Sequence, residues 1–490
     1  MITMIKNLIN SKQVKNLGGR YVPLFFSLMN PFSLVKASDT FTVEDICEKV
    51  NAHNVAVTLA TIDYQLAKSE LRASNHPLDY QLVMSHYKEN SEEPRNSSLE
   101  NPVVSEVTEG QSFGLTKTFS MGTKVELSAQ SMSISSDSIN AIAPIRNQSA
   151  MLLNIKQPLL SGRSESSRLT DKLKAPFKLE RYKIKLKEKF NQEVEKAINN
   201  YLDLYELKNK LSVNLSNLKI YERLFKFYSK ASKIGQKNKI KKFEAKALLS
   251  KESALLKKTE SEFYSKQLSF FKLTGIENIS SEKITTLNLQ DYMNLKSFKY
   301  ARLDQQQLGI KIREAEIDYK KEKDEALPNL ELELEYLSPG LSRNRARSFD
   351  IISKQTFPNI LVALNFSWSF GSNNAKKRAL AAKHKYELQN LKFKRDTSRN
   401  NFKEKKINFE INAYGKLGKE YTNQIRDYEE KVEIRERLYK SGQISILDFQ
   451  ETVQEFARVR TDFIKNSIKR FKLLNERWSK MALYSRNYVD

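Results

Sequence analysis

Pro328-Asn-Leu-Glu-Leu-Glu-Leu-Glu-Tyr336 alternates strictly between apolar and acidic residues, and Leu364-Asn-Phe-Ser-Trp-Ser-Phe370 returns with the same alternation. A period of two places all the apolar side chains on one face of a strand and all the polar ones on the other. Pro328 stops whatever helix precedes the first strand, and Gly371 closes the excursion. The same unit occurs earlier in the chain. After Pro77, Leu78, Tyr80, Leu82 and Met84 alternate with Asp79, Gln81 and Ser85; later Met151, Leu153 and Ile155 alternate with Asn154 and Lys156 before Gly162.

Each excursion is followed by a helix-forming arm of about seventy residues that ends in a second glycine, Gly235 in the first copy and Gly442 in the second. Corresponding glycines lie about 210 positions apart in both cases, which marks an internal duplication of strand hairpin plus long helical arm. Seventy helical residues reach roughly 105 Å, far beyond an ordinary domain helix. Proline costs about 3 kcal/mol inside a helix, and none occurs between Pro176 and Pro328 or after Pro358. On the final arm Ile446, Phe449, Val453, Phe456, Phe463, Ile468 and Phe471 keep to one face, as expected of coiled packing along the helix.

The first excursion is longer than the second. It carries a further hairpin candidate, with Phe113, Leu115 and Phe119 before a Met121-Gly122-Thr123 turn and Val125, Leu127 and Ala129 after it. The spacing leaves open whether this hairpin joins the same sheet or forms an external loop. For every strand the alternatives are lipid on the apolar face and water on the polar face, or a soluble sheet with one face on a core. If lipid lies outside, Glu331, Glu333 and Glu335 line a lumen, because a charge facing lipid near the midplane costs a few kcal/mol.

The beginning of the chain favours the lipid-facing alternative. Lys6, Lys12, Lys15 and Arg20 precede the apolar run from Tyr21 to Val35, and Val35-Lys36-Ala37 offers small residues to a signal peptidase. No later stretch is apolar enough for a spanning helix, so a membrane crossing would have to use strands. The chain divides accordingly into a signal peptide (1–37), an N-terminal helix (38–76) and a first strand segment with the extra hairpin (77–161). A long helical hairpin (162–275), a linker and helix (276–327), a second strand segment (328–370) and a second helical hairpin with the C-terminus (371–490) follow.

Composition excludes several classes. The single cysteine, Cys47, rules out an internal disulfide, and four scattered histidines show no ligand spacing. No phosphate-binding glycine loop, nucleophile elbow or zinc-protease motif occurs, so neither an enzyme nor a cofactor is expected. The net charge of +25, from 83 basic and 58 acidic residues, is read as solvated faces on lysine-rich helices. A nucleic-acid binder is the lesser reading, since no basic run is interleaved with aromatics.

Together these segments resemble the TolC family of outer membrane efflux channels, over about residues 40–485. The marks are Phe41-Thr-Val-Glu-Asp-Ile46, Gln157-Pro-Leu-Leu-Ser-Gly162, Leu273-Thr-Gly275, Ala326-Leu-Pro-Asn-Leu-Glu-Leu332 and Arg437-Leu-Tyr-Lys-Ser-Gly-Gln-Ile-Ser-Ile-Leu-Asp-Phe449. The resemblance implies an α+β membrane protein whose duplicated hairpins build a trimeric outer-membrane β-barrel, continued by a long periplasmic α-helical barrel. It implies four strands per chain in a shared barrel of about 12. It also implies a periplasmic adaptor and an inner-membrane RND or ABC pump as partners, and passive conduction in efflux or type I secretion. The alternative is a periplasmic coiled-coil scaffold or adaptor without a pore.

In the family, acids one turn apart ring the closed periplasmic mouth, and Asp448 and Glu451 match them here. On spacing alone the pair is ordinary solvated helix surface. Tyr439 matches a tyrosine that bonds an acid of the first repeat in the family, but that acid's position falls at Lys241, within Lys237-Asn-Lys-Ile-Lys-Lys242. A tyrosine–carboxylate latch is therefore not expected, and pairing of Lys241 with Asp448 or Glu451 is the expected substitute. Otherwise these lysines face water or an adaptor.

Overall fold

A computed structural model describes residues 42–74, 78–91, 105–137, 145–231, 236–277, 284, 302–354, 358–368 and 374–488. The signal peptide, Pro77, Gly235 and Gly371 lie outside the described residues.

The chain begins with α1 (Val43–His53), entered through a capping box in which the Asp45 N–H donates to Thr42 Oγ1 and the Thr42 N–H to Asp45 Oδ2, at 3.2 and 2.9 Å. The single polar helix expected here is two helices. Asn54 ends α1 and caps α2 (Val55–Ala73), its Oδ1 accepting from the Ala56 N–H at 2.9 Å. Its amide also donates to Glu193 Oε2 at 3.3 Å on the long helix α4 (Thr170–Ala231), which follows a single turn, α3 (Glu165–Arg168). Burial works against the charge on Glu193, but hydrogen bonds from Lys196 and Lys189 outweigh it and hold the carboxyl below its usual range.

The two strand excursions form one antiparallel sheet. Its members are β1 (Tyr80–Ser91), β2 (Ser105–Thr118), β3 (Lys124–Asp137), β4 (Ile145–Pro158), β5 (Asn329–Ser342) and β6 (Asn359–Ser367), in spatial order identical to chain order. The extra hairpin is thus β2–β3, set between β1 and β4, and the described residues form six strands where the resemblance implied four. At its turn Gly122 has φ +85°, and a side chain there would meet Arg168, Pro158 and the Gly162 carbonyl. The Gln157 amide also donates to the Met121 carbonyl, so the hairpin is stitched to the strand-to-helix junction of β4.

The long arms are α4 with α5 (Gln236–Thr274), and α8 (Asn374–Lys440) with α9 (Ile446–Lys480). α4 begins before Pro176 and contains it within its first two turns. Between the arms lie α6 (Leu303–Glu325) and, after β5, the short α7 (Arg345–Ser353). α5 packs on α4, α4 on α9 and α9 on α8; nearer the sheet, α2 packs on α4, and α6 on both α4 and α8. The chief core lies between α1, α4, α9 and a final 3-10 turn, around Phe190, Val194, Ile198, Tyr201 and Trp478. Among the described residues no helix is long and apolar enough to cross a membrane.

Candidate functional site

Two regions carry the residues singled out by the sequence: the far tip of the helical arms and the strand wall. At the tip, α8 ends in a left-handed glycine cap. The N–H of Gln443 donates to the Leu438 carbonyl, that of Gly442 donates to the Tyr439 carbonyl, and Gly442 has φ +81°. This six-to-one bond around a positive-φ glycine is the geometry that ends helices without a steric penalty. α9 then starts from a second capping box, in which the Ser445 hydroxyl and N–H both donate to Asp448 Oδ2 at 2.6 and 3.1 Å.

The Asp448 carboxylate therefore ties down its own helix start, with the Ser445 hydroxyl and backbone N–H holding its pKa below the usual range. A depressed folded pKa contributes stability above the unfolded value and loses it as pH falls through the depressed one. The turn is accordingly expected to stay capped at mildly acid pH and to fray only below the ordinary aspartate range. Amide exchange at Gln443–Phe449, followed against pH, checks this, and Asp448→Asn should remove the dependence.

Glu451 lies one turn on, exposed, and makes no hydrogen bond or ion pair among the described residues. Lys241 does not meet either acid within the chain. Its ammonium stands over the Tyr228 ring at 5.6 Å, a cation–π contact. The expected Lys241–Asp448 or Lys241–Glu451 pair is thus absent from the single chain.

Tyr439 is buried in an aromatic stack, parallel to Phe449 with centroids 5.6 Å apart and edge-on to Tyr228 at 5.8 Å. Burial raises its phenol well above the usual range, with Tyr228 and then the Glu244 carboxylate adding to the effect. Its neighbours Ile446, Val453, Val432, Tyr221 and Leu224 complete an apolar plug joining both arms. Arg223 and Glu436 add an ion pair across the arms at 3.6 Å. Sequence reading missed Tyr228, the Arg223–Glu436 pair and Glu455, which pairs with Lys431 at 3.1 Å. The aromatic run Phe225-Lys-Phe-Tyr228 and the helical spacing of Glu455 from Asp448 and Glu451 were the available signals.

On the wall, the strand register sorts the side chains into two faces. Leu330, Leu332, Leu334 and Tyr336 stand opposite Phe366, Leu364, Val362 and Ile360, all on one face. Much of that face is exposed in the single chain: Ile360 at 72%, Val362 and Leu364 at 63%. The opposite face carries Glu331, Glu333 and Glu335. Glu333 bonds Lys156 at 2.9 Å and Asn154 at 3.0 Å, so its charge is compensated. Glu331 and Glu335 have no such partner among the described residues.

No protein-family model and no curated protein matches the sequence. Solved structures do. The Campylobacter jejuni CmeC outer membrane channel is similar at TM-score 0.60 and 14% identity, covering 90% of this chain and 84% of that one. CusC, whose crystal structures concern folding and transmembrane channel formation, is similar at TM-score 0.63 and 14% identity, covering 95% and 99%. The open state of the Neisseria gonorrhoeae MtrE outer membrane channel is similar at TM-score 0.63 and 12% identity, covering 90% and 88%. The likeness extends over 90% or more of this chain in each case, and the protein has the fold of the TolC-like outer membrane channels.

Proposed function

We propose that the protein is one subunit of a homotrimeric exit duct in the outer membrane. Its strands would form the pore and its helices a tunnel into the periplasm. The duct passively conducts substrates delivered by an inner-membrane RND or ABC pump through a periplasmic adaptor, in efflux or type I secretion. The observation that carries this reading is that the outermost helices are apolar on two opposite sides. On α8, Ala382, Ile407 and Ile411 are buried, whereas Leu380, Leu391 and Phe402 recur about every three turns on the opposite, exposed side. On α2, Val55, Leu59, Ile62 and Leu66 form a comparable exposed stripe. A helix layer with an uncovered apolar edge at each end requires neighbours at both ends, and a ring of copies supplies them.

Cell fractionation tests the reading. A detergent-requiring, heat-modifiable trimer in the outer membrane supports it; a water-soluble periplasmic monomer overturns it. In this duct Glu331, Glu333 and Glu335 face the lumen, as the apolar face takes the lipid. Because Lys156 offsets Glu333, the uncompensated charge comes from Glu331 and Glu335. The double variant Glu331→Gln/Glu335→Gln is expected to lose more cation preference, read as reversal potential in a salt gradient, than Glu333→Gln does.

A further inference from the structure

We infer that the β2–β3 hairpin is part of the membrane wall, so that three copies close a barrel of ~18 strands, through pairing of β6 of each copy with β1 of the next. The inference rests on the trimeric duct proposed above and adds its strand count and width.

Three observations carry it. First, among the described residues the sheet is open: β1 pairs only with β2 and β6 only with β5, and both edge strands are exposed along almost their whole length. Unpaired backbone groups on a sheet edge cannot remain so in lipid, where no water replaces the missing partner. Second, the strand number is even. β1 and β6 therefore run in opposite directions, and β6 of one copy meets β1 of the next as another antiparallel pair, with the same face outward.

Third, the hairpin carries the same apolar band as its neighbours, in register. Leu82, Leu115, Leu127, Leu153, Tyr336 and Ile360 form one unbroken cross-strand row through all six strands. The next row on the opposite face reads Gln81, Thr116, Glu126, Asn154, Glu335 and Leu361, predominantly polar. A one-residue slip would exchange the faces, so this alignment across the inserted hairpin shows a shared environment. A hairpin hanging outside the membrane would need no such row.

At a strand spacing near 4.8 Å and a tilt near 40°, 18 strands close at about 36 Å backbone to backbone, against about 24 Å for 12. The exit is thus roughly half again as wide as the four-strand pattern would make it.

Cryo-electron microscopy of the detergent-purified protein, viewed down the barrel axis, counts the strands directly. Eighteen are expected; a trimer with a wall of 12 and the hairpin folded aside overturns the inference and leaves the duct intact. Absence of any outer-membrane trimer overturns the duct itself, and the inference with it. Thiol labelling supplies an independent measure in trimers reconstituted into lipid vesicles. With a membrane-impermeant maleimide, Ser128→Cys is expected to react and Leu127→Cys to react at least tenfold more slowly. Equal reaction of the two overturns the inference. The native Cys47 gives no background, being buried with its thiol pushed up to about 12 by that burial.

Discussion

Phe449→Ala is expected to loosen the helical tip and raise single-channel conductance in planar bilayers, whereas Tyr439→Phe is expected to leave conductance nearly unchanged. Phe449 is fully buried, stacked on Tyr439, and shares the plug with residues from both arms. Truncating such a side chain removes its burial and leaves a cavity, typically costing about 3–5 kcal/mol. That loss falls at the point where α4, α5, α8 and α9 meet. Tyr439 holds the same plug by its ring: among the described residues no carboxylate bonds its hydroxyl, which is buried near Tyr228 and Glu244. Removing only the oxygen keeps the packing and relieves a buried polar atom. If Tyr439→Phe opened the channel as strongly as Phe449→Ala, the hydroxyl would be the latch and the packing account would be wrong. Calorimetry separates opening from global unfolding, since the core around Phe190 and Trp478 lies elsewhere in the helices and should melt unchanged.

The parts of this architecture that obey a local rule were readable in the sequence. Strict alternation in Leu330–Tyr336 and Leu364–Phe366 located β5 and β6. Gly442 marked a helix end because only a residue free to take φ +81° completes that cap. What escaped depended on partners distant in the chain. Asn54 reads as an ordinary polar helix residue until Glu193, on another helix, accepts its amide. The membership of β2 and β3 in the sheet was undecidable locally, because Phe113 and Leu127 alternate equally well in a wall or in a loop. Only their alignment with Met84 and Leu153 decides. At the tip, the i, i+3 spacing of Asp448 and Glu451 says nothing of the part each plays in the helix start. The capping box depends on Ser445, three residues before Asp448, a local signal independent of the acid spacing. The position of Lys241 over Tyr228 was not legible at all, since it joins two helices across a turn.

The second large effect is expected at the wall. Leu332→Arg should abolish accumulation of the protein in the outer membrane, while Glu331→Arg, one residue away, should assemble normally and shift ion preference toward anions. Leu332 stands between Leu364 on β6 and Gln157 on β4, on the apolar face, and Glu331 stands opposite Asn365 on the other. Under the proposed assembly the first substitution puts a guanidinium against lipid, at a cost of up to about 2–4 kcal/mol per copy, according to its depth. A trimer incurs that cost in every subunit. The second substitution exchanges one lumen charge for another in contact with water and carries no such penalty. The comparison controls for size and charge, because the residue introduced is the same and only the face differs. Quantifying trimer in outer-membrane fractions for both variants reads the result directly. Equal assembly of the two would mean that the apolar face does not meet lipid. The band from Leu330 to Tyr336 would then need a protein partner to cover it, and the exposed rows of β6 would belong to an interface rather than to a membrane wall.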